Sequence, residues 1–375
     1  MKSLLLVGLL FSTVAAGCAL TAPLLPFSIP FDFENNQIYL RVGINGHDPG
    51  WFVLDSGASG CVVDTAVARQ LGLTTHGEKR ATGAGTGTVV VTFTDNITYD
   101  VAGLHVAIPQ SYVIDLSTQP SIVGRDIAGI LGYDFFTRYV VAVDYEAAVL
   151  TLYNPSDFSY TGKGTPIPFT LVKKTPHVKV HITVANERGV DRELLVDSGS
   201  EDAIDDDSLA DAPKRLEIVG GVGLGQEFRT TIGRARSMNI GPYVLDQPFG
   251  ATGGVPLIGT EILRRFYVIF DYARSRLILE PNRHLHDAFS FDASGLDLRW
   301  SPDAFLIHDV AKGSPAAESG LQAGDAIVSI NGHPAKSFRL EQIQNFLTAA
   351  GKTLRLGVRR GNKQLDISLT LRERL

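Results

Sequence analysis

Residues 51–58 read WFVLDSGA, and residues 193–200 read ELLVDSGS. Each stretch is an apolar run, typical of a buried strand, that ends in Asp-Ser-Gly and one further small residue. A single such turn is weak evidence, because aspartate, serine and glycine are common in surface turns. Two copies in one chain indicate an internal repeat, and the repeat predicts how the fold is organised.

A second pair of similar segments follows the first pair. Residues 130–152 begin with Ile-Leu-Gly and contain Val-Asp-Tyr, and they align without gaps on residues 257–279, which begin with Leu-Ile-Gly and contain Phe-Asp-Tyr. Between the paired motifs each half carries glycines, at residues 83–87 and 220–225. Short Val, Ile, Phe, Tyr and Thr runs separated by turn residues favour β-structure. We therefore expect two β-rich halves, residues 24–158 and 159–284.

The repeated aspartates are the candidate catalytic groups. Asp55 and Asp197 each follow an apolar run directly, which places a carboxylate at the end of a buried strand. Two carboxylates held about 3 Å apart share one proton, so one can accept a proton from water while the other donates to a carbonyl oxygen. Such a pair needs no metal and no cofactor. In each motif a serine and then a glycine follow the aspartate. The glycine allows the two backbones to approach closely, and the serine hydroxyl is placed to hydrogen-bond to the opposite turn. These supporting residues are Ser56, Gly57, Ser198 and Gly199.

These motifs resemble the retropepsin-like and pepsin-like aspartic peptidases over roughly residues 26–279. The resemblance implies a mainly β fold with two retropepsin-like β-barrel lobes that form a pseudo-dimer. It also implies a dyad of Asp55 and Asp197 that cleaves peptides or unfolded proteins internally with activated water. The glycine-rich hairpin would be a flap, with Gly83, Gly85 and Gly87 as its candidates. The alternative is a non-catalytic peptide-binding or scaffold lipoprotein that keeps the fold.

Two further expectations concern the surroundings of the dyad. Ser200 follows the second motif where Ala58 follows the first, so a hydroxyl near Asp197 would make Asp197 the more acidic partner. The acidic run at residues 201–207 lacks the pattern of a calcium loop and is read as a solvated turn and helix start.

Residues 287–375 form a different unit. Residues 313–325 and 327–332 combine a short helix, a Gly-Asp turn and a strand ending in Asn-Gly, and they resemble PDZ domains of the bacterial protease type. The resemblance implies an α/β domain with a groove, between residues 296–300 and 339–347, for the C-terminal peptide of a partner. Its carboxylate-binding loop would be Gly295, Leu296, Asp297 and Leu298. The alternative is a PDZ fold that packs on the rest of the chain and binds nothing.

The first 18 residues resemble a bacterial lipoprotein signal. Lys2 precedes an apolar run at residues 4–11, and Ala-Ala-Gly precedes Cys18. We expect an exported protein of the periplasm or cell envelope that is anchored to a bacterial membrane by lipid on Cys18; the alternative is ordinary signal cleavage. The net charge of −6 makes nucleic acid an unlikely partner. Cys61 is expected to be a small buried thiol.

Overall fold

The computed structural model describes residues 24–81, 89–185, 188–219 and 229–375. Over these residues the fold is mainly β with short helices, as the sequence predicted. Cys18 and the flap candidates Gly83, Gly85 and Gly87 lie outside the described residues, as does the glycine-rich stretch 220–225. No described helix is long and apolar enough to cross a membrane.

Two sets of strands and helices make up the repeated halves. The first half contains β1 Phe27–Pro30, β2 Asp32–Glu34, β3 Gln37–Ile44, β4 His47–Leu54, β5 Val62–Asp64, α1 Thr65–Gln70, β6 His76–Ala81, β7 Val89–Val101, β8 Leu104–Ile114, α2 Gln119–Val123, β9 Gly129–Leu131, α3 Tyr133–Phe136, β10 Val140–Asp144 and β11 Val149–Tyr153. The second half contains β12 Thr165–Val172, β13 Thr175–Ala185, β14 Arg188–Val196, β15 Ile204–Asp205, β16 Arg215–Val219, β17 Arg229–Arg234, β18 Ser237–Ile240, β19 Tyr243–Asp246, β20 Phe249–Ala251, β21 Leu257–Ile258, α4 Thr260–Leu263, β22 Phe266–Asp271 and β23 Arg276–Pro281, with 3-10 helices at Asp207–Asp211 and Tyr272–Arg274.

The repeated motifs occupy equivalent places in the two halves. In the first half, β4 pairs in parallel with β9, so that Leu54 lies opposite Leu131. In the second half, β14 pairs in parallel with β21, so that Val196 lies opposite Ile258. The Ile-Leu-Gly and Leu-Ile-Gly segments therefore brace the strands that lead into the two Asp-Ser-Gly turns.

The two halves share one sheet and one core. Strand β10 pairs antiparallel with β22, with Val141 opposite Phe270, and this pairing joins the sheets of the halves. A single hydrophobic cluster extends through both halves. Within it, the rings of Phe136 and Phe270 meet edge to face at a centroid distance of 5.1 Å. The apolar faces of the two halves are thus buried against each other, which fixes the relative positions of their turns.

The C-terminal unit has a separate core. It consists of β24 Leu296–Ser301, β25 Ala304–Val310, α5 Pro315–Glu318, β26 Ala326–Ile330, β27 His333–Pro334, a 3-10 helix at Ala335–Ser337, α6 Leu340–Leu347, β28 Thr353–Arg360 and β29 Lys363–Thr370. Helix α6 buries Leu340, Ile343 and Leu347 in this core. The division of the chain at residues 158/159 and 284–287 stays a prediction.

Candidate active site

The ends of β4 and β14 bring Asp55 and Asp197 together. Both side chains are half-buried, and each carboxyl group shifts the pKa of the other. A Cβ atom added to Gly57 would lie 2.6 Å from Asp197 Cγ, and one added to Gly199 would lie 2.5 Å from Asp55 Cγ. Each glycine is therefore required because the carboxyl group of the opposite half occupies the space of a side chain.

Two buried serines hold the turns in register. Ser56 and Ser198 are fully buried. The amide of Ser56 donates to Ser198 Oγ at 2.9 Å, and the amide of Ser198 donates to Ser56 Oγ at 3.0 Å. The hydroxyls in turn donate across the interface, Ser56 to the Val196 carbonyl at 2.7 Å and Ser198 to the Leu54 carbonyl at 2.9 Å. Each hydroxyl proton is thus bonded to a carbonyl, which suits a structural role and not a nucleophilic one.

The hydrogen bonds around the two carboxylates are unequal. Asp55 Oδ1 accepts from the amides of Gly57 at 2.7 Å and Ala58 at 2.9 Å. Asp197 Oδ1 accepts from the amide of Gly199 at 2.9 Å, and the Ser200 amide also lowers the pKa of Asp197. Burial raises the pKa of both groups, and the nearby charge of Asp55 raises the pKa of Asp197 further.

These contacts favour an ionised Asp55 and a protonated Asp197. They reverse the expectation that the Ser200 hydroxyl would make Asp197 the more acidic. The hydroxyl oxygen of Ser200 accepts from the Asp202 amide at 3.3 Å, and among the described residues no hydrogen bond joins that hydroxyl to the Asp197 carboxylate. Because the pair is strongly coupled, the shared proton belongs to both groups, with its larger share on Asp197.

Additional carboxylates lie near the dyad, and sequence reasoning missed them. Burial and then the charge of Asp197 raise the pKa of Asp202. Burial, followed by the charges of Asp202 and Glu341, raises the pKa of Glu201 to about 8. Only part of the run is the predicted turn and helix start: Asp206 caps the 3-10 helix and pairs with Arg192 at 3.0 Å. These additional carboxylates lie within a few residues of Asp197 in the sequence, and that proximity was the signal that could have identified them. Among the described residues, no group of three or more potential ligands is arranged to hold a metal ion.

Cys61 is fully buried, as predicted, and burial raises the pKa of its thiol to about 12.

The predicted carboxylate-binding loop of the C-terminal unit lies at the start of β24. Gly295 adopts a positive φ of 82°, which favours glycine. The amide of Gly295 donates to Asp292 at 2.7 Å, and the amide of Leu296 donates to Ser294 Oγ at 3.0 Å. A peptide carboxylate would have to compete with these internal acceptors.

The walls of the predicted peptide groove contact the first half. Helix α2 lies close to β24. At the start of α6, the Cβ atom of Leu340 lies 3.2 Å from the position of a Cβ added to Gly124. Beside it, Arg339 Nε forms an ion pair with Glu34 Oε1 at 2.9 Å. Helix α2 and Gly124, which make two of these contacts, belong to the segment that leads into β9, the strand that braces Asp55.

Two family models match the chain. The model described as "Aspartyl protease" matches residues 40–135, which include Asp55, and the model described as "PDZ domain" matches residues 293–359. The C-terminal unit is a PDZ domain.

Several curated proteins are similar over short stretches. Periplasmic serine endoprotease DegP from Escherichia coli (strain K12) is 37% identical over 68 residues, 18% of this chain and 14% of that protein. A probable periplasmic serine endoprotease DegP-like from Pseudomonas putida (strain W619) is 35% identical over 95 residues, 25% of this chain and 18% of that protein. Serine protease HTRA1 from Xenopus tropicalis is 39% identical over 70 residues, 19% of this chain and 15% of that protein. The chain thus spans less than a fifth of the length of these relatives.

One solved structure is similar to the chain over a short stretch. The HtrA3 PDZ domain, bound to a phage-derived ligand, is 28% identical with a TM-score of 0.19, covering 22% of this chain and 87% of that one.

Proposed function

We propose that this protein is an aspartic endopeptidase whose dyad, Asp55 and Asp197, is built from two halves of one chain. The observation that carries the proposal is the mutual packing of the two turns, in which a Cβ atom added to either glycine would lie less than 3 Å from the carboxyl group of the other half. A turn that served only folding would have no need to direct two half-buried carboxyl groups at one another.

The unequal hydrogen bonds suggest the role of each group. Asp55, with two amide donors, accepts a proton from water as that water attacks the substrate carbonyl carbon. Asp197 donates its proton to the carbonyl oxygen, which gives a neutral tetrahedral intermediate. When the C–N bond breaks, Asp55 returns its proton to the departing amine, and the intermediate's hydroxyl returns a proton to Asp197. The dyad is then restored without a covalent enzyme intermediate.

The serine-type chemistry named for the similar proteins does not carry over to these turns. Those proteins match only over a short stretch, and the hydroxyls of Ser56 and Ser198 are both committed to the bonds between the halves. An aspartic mechanism instead uses the carboxyl groups of Asp55 and Asp197.

The PDZ domain would recruit substrates by a chain terminus or regulate access to the dyad. Its groove walls contact the first half through α2 and Arg339, which supports regulation in particular. The similar proteins are described as periplasmic, which supports export of this chain. Lipid attachment at Cys18 remains part of the proposal.

Cleavage of a denatured protein by the full chain between pH 3 and pH 8 tests the proposal. Asp55→Asn and Asp197→Asn should each abolish cleavage. The matched controls Asp48→Asn and Asp191→Asn change exposed aspartates in the same two halves and should retain it. A folded wild-type protein that binds the denatured chain but never cleaves it would instead favour a peptide-binding protein.

A further inference from the structure

A side chain from the first half reaches into the turn of the second half. Gln37 Nε2 donates to the Gly199 carbonyl at 2.7 Å. Gln37 is itself fixed, because its Oε1 accepts from the hydroxyl of Tyr39 at 2.6 Å. Tyr39 is fully buried, and the guanidinium of Arg125 lies 4.5 Å from the centroid of its ring. The amide of Gln37 is therefore held by a rigid neighbour.

The repeat identifies the equivalent positions in the other half. Tyr39 lies opposite Val53, two residues before Asp55, and His177 lies opposite Leu195, two residues before Asp197. Thr175 is thus the counterpart of Gln37. Its hydroxyl donates to the Val172 carbonyl at 2.8 Å and lies 3.2 Å from His177 Nε2, inside its own half.

The two turns are consequently anchored in different ways. In the hydrogen bonds of the described residues, no side chain donates to the Gly57 carbonyl. The Gly57 turn instead gives Asp55 two short amide bonds, of 2.7 and 2.9 Å, whereas Asp197 receives one short bond, from Gly199 at 2.9 Å, beside the Ser200 amide. Position 199 has to be glycine, because the Asp55 carboxyl group occupies the space that a side chain would need. Glycine has the greatest backbone freedom of any residue. An external anchor on its carbonyl compensates for that freedom.

We propose that Gln37 is a positioning residue for the dyad, which acts through the Gly199 carbonyl to hold the Gly199 amide against Asp197. This inference rests on the proposed function, since it assigns a role within the same site. Gln37 touches neither carboxylate, and its effect on Asp197 passes through the backbone of one glycine.

The expected consequence concerns the proton on Asp197. Without the anchor the Gly199 amide drifts, and the ionised form of Asp197 loses its donor, which raises its pKa. Other charged groups face Asp197, namely Asp55, Asp202 and Asp205, and all of them remain in place. Cleavage requires the proton on Asp197, so the alkaline limb of the pH–rate profile should move to higher pH.

The test compares Gln37→Met, which keeps the shape but removes both hydrogen bonds, with the counterpart Thr175→Val in the full chain. We expect Gln37→Met to lower kcat/KM about tenfold. It should also shift the alkaline limb upward by about half a pH unit, because the charge-assisted hydrogen bond from the Gly199 amide to Asp197 is partly lost. Thr175→Val should leave the limb in place. Tyr39→Phe, which frees Gln37 but keeps its amide, should shift the limb in the same direction by less.

A second readout separates this inference from the proposed function. Selective ¹³Cγ labelling of aspartate follows protonation of the pair by NMR without any substrate. If the wild type cleaves nothing but Gln37→Met still raises the upper ¹³C titration, the positioning role stands and the peptidase assignment fails. If the wild type cleaves and Gln37→Met matches Thr175→Val in both the profile and the titration, Gln37 has no positioning role.

Discussion

The first and second halves of this chain place the same turn at the same site with different support. Asp55 receives two short amide bonds from its own turn, whereas Asp197 receives one beside the Ser200 amide, and its glycine is anchored by Gln37 from the opposite half. The serine bridge between the turns, in contrast, is nearly symmetric, with the equivalent bonds within 0.2 Å of each other. The comparison indicates that the symmetric contacts hold the halves together while the asymmetric contacts assign the proton.

The surroundings of the halves differ as well. The second half carries Glu201, Asp202 and Asp205 next to the dyad, and their mutual repulsion, after burial, raises their pKa values. The PDZ domain contacts both halves, through the ion pair of Glu34 with Arg339 at 2.9 Å and that of Lys214 with Glu373 at 3.7 Å. The second copy of the repeat has therefore acquired acidic side chains next to its catalytic candidate, while both copies contact the PDZ domain.

The largest expected effect comes from the glycines. Gly57→Ala and Gly199→Ala each place a methyl group within 2.6 Å of a carboxyl carbon, so the pair must separate. We expect each to reduce kcat/KM by about a thousandfold, in line with loss of a positioned acid–base pair. Gly103→Ala, at an exposed turn with a positive φ, is the control for backbone strain alone and should retain cleavage. Near-normal cleavage by either dyad variant would show that the two turns do not meet as described.

The serine bridge should respond equally on its two sides. Ser56→Ala and Ser198→Ala each remove a buried hydroxyl that donates once and accepts once, and each should lower the free energy of unfolding by about 2–4 kcal/mol. Because the bonds form one network, the double variant should lose less than the sum of the single losses. Chemical denaturation of the three variants measures this, and strictly additive losses would argue against a shared bridge.

The aspartates should differ in their effect on stability. Asp197 has a raised pKa, so the folded state binds its proton more tightly than the unfolded state does. This contribution is fully present below the ordinary aspartate pKa and is lost as pH rises through the raised value. Asp197→Asn removes the titration and should raise the melting temperature at pH 7 by about 1–3 °C. The gain should be smaller for Asp55→Asn, which removes an acceptor of two amides, and it should vanish for both near pH 3. Equal gains would contradict the assignment of the proton to Asp197.

The smallest effect should come from the PDZ contact. Arg339 is largely exposed, so Arg339→Glu should change global stability by less than about 1 kcal/mol. It should nevertheless speed amide hydrogen exchange in both α2 and β24, because the charge would repel Glu34. Arg359→Glu, on β28, serves as the control. Faster exchange confined to the PDZ domain would show that the ion pair does not hold the two parts together.

Much of this fold follows from the repeat and from the apolar runs between turn residues. The runs predicted β-structure, and strands such as β3, β10 and β13 are present. The repeat of the Asp-Ser-Gly and Ile-Leu-Gly motifs predicted that the two halves are organised alike, and the structure pairs β4 with β9 and β14 with β21 in the same way.

Other features could not be predicted, since they depend on contacts between distant residues. The anchor from Gln37 to Gly199 joins positions 162 residues apart, and no local pattern marks it. The expectation for Ser200 was wrong because the sequence cannot show that its hydroxyl turns toward the Asp202 amide. The acidic run was predicted to be solvated, and Asp202 and Asp207 are indeed exposed, but charge alone does not reveal a neighbouring dyad.

The most direct test of the central claim is the cleavage rate of the double variant Asp55→Asn/Asp197→Asn beside the two single variants. If the aspartates act as one unit, each single variant loses about 10³-fold or more and the double variant loses no more than the worse single one, as catalytic groups that work together do. If the losses multiply, or if either single variant keeps substantial cleavage, the two halves do not form one shared catalytic site.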